Sequence, residues 1–341
     1  MSQQIIPRKR IESLYVLKAI CAFFVVSIHV PLAHDLLYPI AGVGTPCFLC
    51  ITGYLLYSAS QERELRKCLS WAQKSFWLAV VCNIIYSIAT YFIHGVNVLT
   101  QGWWFFVENF LFGTNICRYL WYLTALWQAL LVLRFFIKWM PKLIKFLPIL
   151  FIGAYLLRNH NFNSYIDAGF NVSNLRLTWL FTSLPCLATG YLIHQYHQRL
   201  LSALKINVWL IVALVLNIVE FRCRLALGVC YSHHMLFTWP LAVLLMLLCV
   251  KYPDFSIPVV DRIGRKHSPN IYYFHGLFIW GITEVGVPEW NILVLTACIY
   301  CACIPCSFVY NYLSERWKMY IWLPLLQALS QVTGRLEKSE L

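Results

Sequence analysis

The sequence contains few charged residues, and among these the acidic ones are fewer than the basic ones. Asp, Glu, Lys and Arg make up only 12% of the 341 residues, whereas hydrophobic residues make up 60% and the mean hydropathy is +0.65. A soluble globular domain carries about 25% charged residues. The scarcity of charge therefore excludes that class and predicts an all-α, polytopic bundle of membrane helices.

No long low-complexity linker and no soluble domain interrupts the apolar runs. A window of about 19 residues finds ten candidate spans, which predict a basic cytoplasmic N-terminal tail (1–13), a ten-span membrane domain (14–312) and a cytoplasmic or interfacial C-terminal tail (313–341). The spans are 14–32, 39–58, 75–93, 119–137, 146–158, 177–193, 206–221, 232–250, 271–287 and 291–312.

The basic residues are distributed unevenly between the two sides of these spans. Lys and Arg number 27 against 14 Asp and Glu, and a net charge of +13 raises nucleic acid as a partner. If both termini are cytoplasmic, the cytoplasmic segments hold 22 of the 27 basic residues, as the positive-inside rule requires. The charge therefore indicates topology and contact with membrane lipid, and no nucleic-acid partner is expected.

The cysteines lack the ligand set that a metal site needs. Most of the 14 cysteines lie inside predicted spans, where a thiol behaves as a small hydrophobe. Cys47 and Cys50 share the spacing of a zinc ligand pair, but no second pair or histidine set accompanies them. We expect neither a metal nor a bound cofactor.

The first apolar run carries an ionisable residue at each end, Lys18 and His29. Eleven residues turn a helix by about 1,100° and rise about 16 Å, so the two side chains share one face. A histidine inside a membrane is a functional-site hypothesis; the alternative is a buried histidine bonded to a neighbouring helix. Asp35 follows past Pro31 and either orients the imidazole, as a carboxylate does in acyl-transfer sites, or is a solvated loop charge.

A second histidine lies in the ninth span. Ser268, Tyr272 and His275 are spaced i, i+4 and i+7 and therefore share one helix face, which makes His275 either a functional residue or a buried structural one. Glu284 is nine residues beyond His275, about 180° around the helix. Glu284 is therefore not expected to be the partner of His275.

Several motifs follow one another in a specific order along the chain. Together they resemble the acyltransferase 3 family of integral-membrane O-acyltransferases, whose members carry an Arg or Lys and a His at this spacing in the first span. The motifs are Lys18-x10-His29, Thr52-Gly53-Tyr54, Leu120-Trp121-Tyr122-Leu123, Gly190-Tyr191-Leu192 and Tyr272-x-x-His275. Three departures are that Lys18 replaces the commoner Arg, that Thr52 replaces Ser and that Tyr119 stands where a His is frequent.

The resemblance implies transfer of an acyl group, most often acetyl, from cytoplasmic acyl-coenzyme A. The acceptor would be a hydroxyl of a cell-surface polysaccharide or its lipid-linked precursor, and the location the bacterial cytoplasmic (inner) membrane. An appended soluble hydrolase-like domain is not expected. The catalytic residues would be His29, Lys18, His275 and Asp35. Substrate or donor binding would involve Thr52, Tyr54, Trp121, Tyr122, Ser268, Tyr272, Arg63 and Lys67.

Two mechanisms and two rival functions remain open at this point. His29 acts either as the general base for direct transfer, which we favour, or as a nucleophile that carries the acyl group. Lys18, about three turns nearer the cytoplasm, would meet the coenzyme A phosphates or the thioester oxygen. The rivals are a transporter or flippase of a glycan or lipid-linked sugar and a structural subunit of an envelope-assembly complex. The oligomeric state is not predicted.

Overall fold

A computed structural model describes residues 10–30, 37–113, 116–159, 178–227, 235–286 and 292–317. Every regular element in these ranges is helical. The α-helices are α1 Glu12–Ser27, α2 Tyr38–Ala41, α3 Gly44–Leu56, α4 Gln61–His94, α5 Trp103–Phe112, α6 Trp121–Trp139, α7 Phe151–Asn159, α8 Leu184–Ala203, α9 Ile206–Ala226, α10 Thr238–Lys251, α11 Pro258–Lys266, α12 Ser268–Val285 and α13 Ile292–Trp317. Three 3₁₀ helices, Val98–Thr100, Arg118–Leu120 and Pro141–Leu150, and a π-helical turn, Trp179–Ser183, complete them.

The predicted all-α class is confirmed, and each of the ten predicted apolar runs overlaps a helix. Among the described residues, four helical segments are long and apolar enough to cross a membrane by themselves. They are Tyr38–Leu56, Gln61–His94, Ile206–Ala226 and Leu293–Arg316. The protein is an integral membrane protein.

Large apolar side chains cover the outer faces of three helices. Trp77 and Phe92 on α4 are 59% and 79% exposed. Ile211 on α9 and Phe308 on α13 are 64% and 58% exposed. Contiguous apolar surface on this scale marks contact with a membrane or a protein. These faces are therefore suited to lipid.

Helix α1 lies inside the bundle. It packs against α3, α10, α11, α12 and α13, and the side chains on most of its surface are buried. The predicted first span continued to residue 32, whereas the helix ends at Ser27. Residues 31–36 lie outside the described part of the chain.

Two glycines of the predicted motifs permit a close helix contact between α3 and α8. A Cβ built on Gly53 would overlap the backbone carbonyl of Leu187, and one on Gly190 would overlap the carbonyl of Cys50. The two backbones approach each other through reciprocal glycines, which is a device of membrane helix packing. This contact fixes α3, which carries Thr52, against the core.

Candidate active site

The C-terminal end of α1 places His29 just beyond the helix. The Ser27 hydroxyl donates to Phe24 O at 2.8 Å, and the N–H groups of His29 and Val30 donate three residues back, to Val26 O at 3.1 Å and Ser27 O at 3.3 Å. Such 3₁₀-type bonds tighten a helix end. His29 therefore projects from a tight turn and remains partly exposed, rather than lying within a continuous helix as predicted.

His275 of α12 is fully buried, and one hydrogen bond defines its protonation. Its Nδ1 lies 2.7 Å from Tyr272 O; because a carbonyl only accepts, Nδ1 must carry the proton. In the neutral ring Nε2 then holds a lone pair, and this atom is buried with no hydrogen-bond partner among the described residues. The imidazole is thus oriented by its own helix and keeps one basic nitrogen unused.

The rings of His29, His275 and Tyr119 meet in one place. The two imidazoles are stacked with centroids 5.4 Å apart, and the Tyr119 ring lies 4.5 Å from His29 and 5.5 Å from His275. A Cβ on Gly276 would collide with Tyr119 and with the Tyr86 hydroxyl. Glycine at this position is what lets the Tyr119 ring lie directly against α12.

Tyr272 connects this group to α6 and α3. Its hydroxyl donates to Tyr119 O, its ring lies 5.6 Å from the His275 ring, and the Tyr122 ring lies 5.0 Å away on its other side. Tyr122 in turn interacts with Thr52. We name His29, Tyr119, Tyr272 and His275 the His–Tyr cluster. It brings together His29, Tyr272 and His275, all predicted site residues, with Tyr122 and Thr52 behind them.

Lys18 lies on the same stripe of α1 as Ala22 and Val25, at i, i+4 and i+7. It is partly exposed, whereas Ala22 and Val25 are 1% and 2% exposed. Apolar side chains therefore separate the Lys18 ammonium from the His–Tyr cluster. Lys18 and His29 therefore lie in separate surroundings at the two ends of α1.

The structure places the remaining predicted site residues elsewhere. Tyr54 packs against His194 with ring centroids 4.3 Å apart, and the Ser268 hydroxyl donates to Gly264 O at 2.7 Å. Trp121 is buried beside Tyr122 with ring centroids 6.4 Å apart. Asp35 lies outside the described residues.

The two predicted cations of the segment after α3 differ in their surroundings. Arg63 is exposed. The Lys67 ammonium donates to Leu55 O at 3.0 Å and to Leu56 O at 3.4 Å, where it satisfies the last carbonyls of α3. Lys67 therefore has a structural role, and donor binding by either residue stays a prediction.

Glu284 pairs with His94 of α4, with 3.1 Å between Oε1 and Nδ1. As predicted, Glu284 pairs with a residue other than His275.

A second buried histidine lies where α11 meets α12. His267 Nδ1 lies 2.7 Å from Ser307 Oγ, and Asn270 Nδ2 donates to Ser307 Oγ at 2.8 Å and to Asn311 Oδ1 at 2.9 Å. Burial and the neighbouring Lys266 ammonium lower the pKa of His267. We name His267, Asn270, Ser307 and Asn311 the polar tie, because it joins the start of α12 to α13.

Sequence reasoning undervalued Tyr119. Tyr119 was noted only as a departure from the family's motif and was not among the predicted site residues, yet its ring contacts both imidazoles. The available signal was its place directly before the Leu-Trp-Tyr-Leu motif. Tyr86 was also missed; its hydroxyl donates to Tyr273 O at 2.9 Å and supports α12 from α4.

The fold and the site together define an integral membrane protein with two imidazoles held inside its helix bundle. The sequence profile of the acyltransferase 3 family, described as an acyltransferase domain, matches residues 11–312, and the chain belongs to this family. The predicted resemblance is therefore confirmed, and family membership identifies the protein as an acyltransferase. No curated protein and no solved structure matches the chain.

Proposed function

We propose that the protein is an O-acyltransferase that moves an acyl group, acetyl in the simplest case, from acyl-coenzyme A to a hydroxyl. The acceptor would be a cell-surface polysaccharide or its lipid-linked precursor. The observation that carries the proposal is the stacked imidazole pair, 5.4 Å between centroids, in a chain of the acyltransferase 3 family. Family membership favours this function over glycan transport.

His29 is the proposed general base, and His275 is its positioning residue. His29 is partly exposed and so is accessible to a substrate hydroxyl, whereas His275 is 0% exposed. Two imidazoles in contact do not both carry charge readily, since like charges in a poorly solvated site repel. A neutral His275 beside His29 leaves His29 free to gain a proton during transfer.

The proposed reaction is a direct transfer. His29 removes the hydroxyl proton while the oxygen attacks the thioester carbonyl; the carbon–sulfur bond then breaks, and the imidazolium returns the proton to the departing thiolate. General acid–base catalysis of this kind contributes about 10²- to 10⁴-fold to the rate. The His29 ring therefore acts first as the base and then as the acid.

Lys18 is the proposed contact for the charged part of the donor. Lys18 lies nine residues before the end of α1 at Ser27, a rise of about 13 Å, and His29 follows in the tight turn. This separation suits a long donor whose phosphates and thioester lie at opposite ends. An ammonium compensates phosphate charge as a point charge, without the two-pronged geometry of a guanidinium.

The proposed topology has ten spans with both termini in the cytoplasm of a bacterial cell, in the inner membrane. It rests on 22 of the 27 basic residues falling on one side and on a helix in each of the ten apolar runs. With this orientation Lys18 lies towards the cytoplasm, where acyl-coenzyme A is available.

The test combines one variant with one mass measurement. His29→Ala should lower acyl transfer by at least about 10²-fold, since it removes the general base, while the amount of protein in the membrane stays normal. Surface glycans of a deletion strain should lose a mass equal to the acyl group, restored by the wild-type gene and not by His29→Ala. Full complementation by His29→Ala would overturn the mechanism, and unchanged glycan masses in the deletion strain would overturn the acceptor.

A charge series at Lys18 tests the donor contact. Lys18→Arg keeps the charge and should retain more activity than Lys18→Ala, with the loss in Lys18→Ala appearing mainly as a higher KM for acyl-coenzyme A. Equal losses in the two variants would mean that Lys18 is structural.

A further inference from the structure

An open slot lies between α8, α10 and the 3₁₀ helix Pro141–Leu150, away from the His–Tyr cluster. We propose that this slot binds an anionic phospholipid of the cytoplasmic leaflet, with one acyl chain in the slot and the phosphate against Arg199. Its volume is about 390 Å³. It is lined by Pro148, Thr189, Leu192, Ile193, Tyr196, Arg199, Leu200, Trp239 and Val243.

One stripe of α8 forms the long wall of the slot. Thr189, Ile193, Tyr196 and Leu200 recur at helical spacing along it, and the Thr189 hydroxyl already donates to Pro185 O at 2.7 Å. The wall therefore offers hydrocarbon and an aromatic ring. Such a lining suits an acyl chain.

The slot runs along the cytoplasmic end of α8. Thr189 and Ile193 lie within the predicted span 177–193, and Arg199 lies about 15 Å further along the helix from Thr189. Arg199 lies at the end that the proposed topology places in the cytoplasm. A chain that fills the slot would bring its phosphate to the depth of Arg199.

The 3₁₀ helix carries two further cations near the slot, outside its lining. Residues three apart are eclipsed in a 3₁₀ helix, so Pro141–Leu150 presents three distinct stripes. Ile144 and Leu147 are buried at 2% and 7%, and Phe146 and Ile149 are exposed at 52% and 59%. The third stripe contains Pro148, which lines the slot. Lys145 and Lys142 precede Pro148 on the same stripe, one and two turns nearer the start of the helix.

The charges at the slot mouth select the headgroup. Arg199 is exposed and has no ion pair among the residues that the structure describes, and Lys145 lies one 3₁₀ turn from Pro148 with its ammonium 4.9 Å from the Phe146 ring. Each cation near a membrane surface favours anionic lipid by about 1 kcal/mol. An anionic phosphate with an acyl chain complements both parts of the slot, whereas a zwitterionic lipid complements only the apolar part.

Native mass spectrometry of the purified full-length chain tests the proposal with phosphatidylglycerol and phosphatidylcholine of identical acyl chains. Wild type should retain phosphatidylglycerol at least about tenfold more tightly than phosphatidylcholine. Arg199→Gln and Lys145→Gln should each weaken phosphatidylglycerol binding by about fivefold, and Arg262→Gln, an exposed cation on α11, should stay within twofold. Val243→Trp, which fills the slot, should reduce binding of both lipids.

Three results would overturn the proposal. Equal retention of the two lipids by wild type would remove the charge selection, and an equal loss in Arg262→Gln would mean general surface attraction. A wild-type dimer that Val243→Trp dissociates would mean that the slot seats a second copy of the chain. The inference rests on the proposed topology, but binding is measured without acyl transfer, so its failure is distinguishable from failure of the proposed reaction.

Discussion

The His–Tyr cluster and the polar tie each contain a buried histidine, and the two differ in what surrounds the ring. In both, Nε2 is buried with no hydrogen-bond partner among the described residues. His267 Nδ1 meets a side chain of another helix, Ser307 Oγ at 2.7 Å, whereas His275 Nδ1 donates to the backbone of its own helix. His275 also stacks on a second imidazole that is partly exposed.

The difference shows that burial of a histidine does not by itself indicate a catalytic site. In the polar tie the side chains bond to one another. Ser307 on α13 bonds to His267 and Asn270 at the start of α12, and Asn311 accepts a bond from Asn270. The His–Tyr cluster instead combines Tyr272 and His275 of α12 with Tyr119 and the partly exposed His29 from two other segments, and its two imidazoles stack on each other. The polar tie therefore joins two helices, whereas the His–Tyr cluster holds the groups that the proposed reaction needs.

The largest expected effect separates the two histidines. Asn can replace the Nδ1–H donor of histidine but not the imidazole ring that stacks on His29. We expect His275→Asn to lower acyl transfer by about 10²-fold, because His29, the proposed general base, loses its positioning ring. His267→Asn should leave transfer by the folded protein within about threefold. The measurement is turnover per folded molecule for both variants.

Thermal unfolding in the same detergent controls for folding. Both variants should unfold as one transition with similar midpoints. Equal loss of turnover in the two variants would mean that the His–Tyr cluster and the polar tie do not differ in function.

The next effect concerns stability of the polar tie. Ser307→Ala removes the common partner of His267 and Asn270, and leaving buried polar groups unpaired costs about 1–3 kcal/mol. We expect the free energy of unfolding to fall by that amount while turnover of the folded fraction is unchanged. Ser202→Ala is the matched control, because its hydroxyl bonds to Arg199 O at an exposed position. A large loss of turnover at unchanged stability would instead assign chemistry to the polar tie.

Sequence patterns predicted the helical runs and the residues of the site better than the geometry between them. Apolar runs and helical spacing depend only on neighbouring residues. The sequence therefore predicted the ten apolar runs and the helix face that Ser268, Tyr272 and His275 share. The stacking of His29 on His275 joins residues 246 positions apart and depends on a tight turn after Ser27, which composition does not reveal. Tyr119 was undervalued for the same reason, since its ring contacts depend on Gly276.

The smallest expected effect tests how strictly the His–Tyr cluster must be positioned. Tyr272→Phe keeps the ring contacts with Tyr122 and His275 but removes the donor to Tyr119 O, at a cost of about 1 kcal/mol. Tyr300→Phe loses an equivalent bond, from its hydroxyl to Ala19 O at 3.1 Å, outside the His–Tyr cluster. Both variants should lose similar stability in denaturant unfolding, and Tyr272→Phe alone should lose turnover, by about threefold to tenfold, because the Tyr119 ring beside His29 is no longer held from α12. Unchanged turnover in Tyr272→Phe would mean that packing alone positions Tyr119, and that the imidazole pair functions without this hydrogen bond.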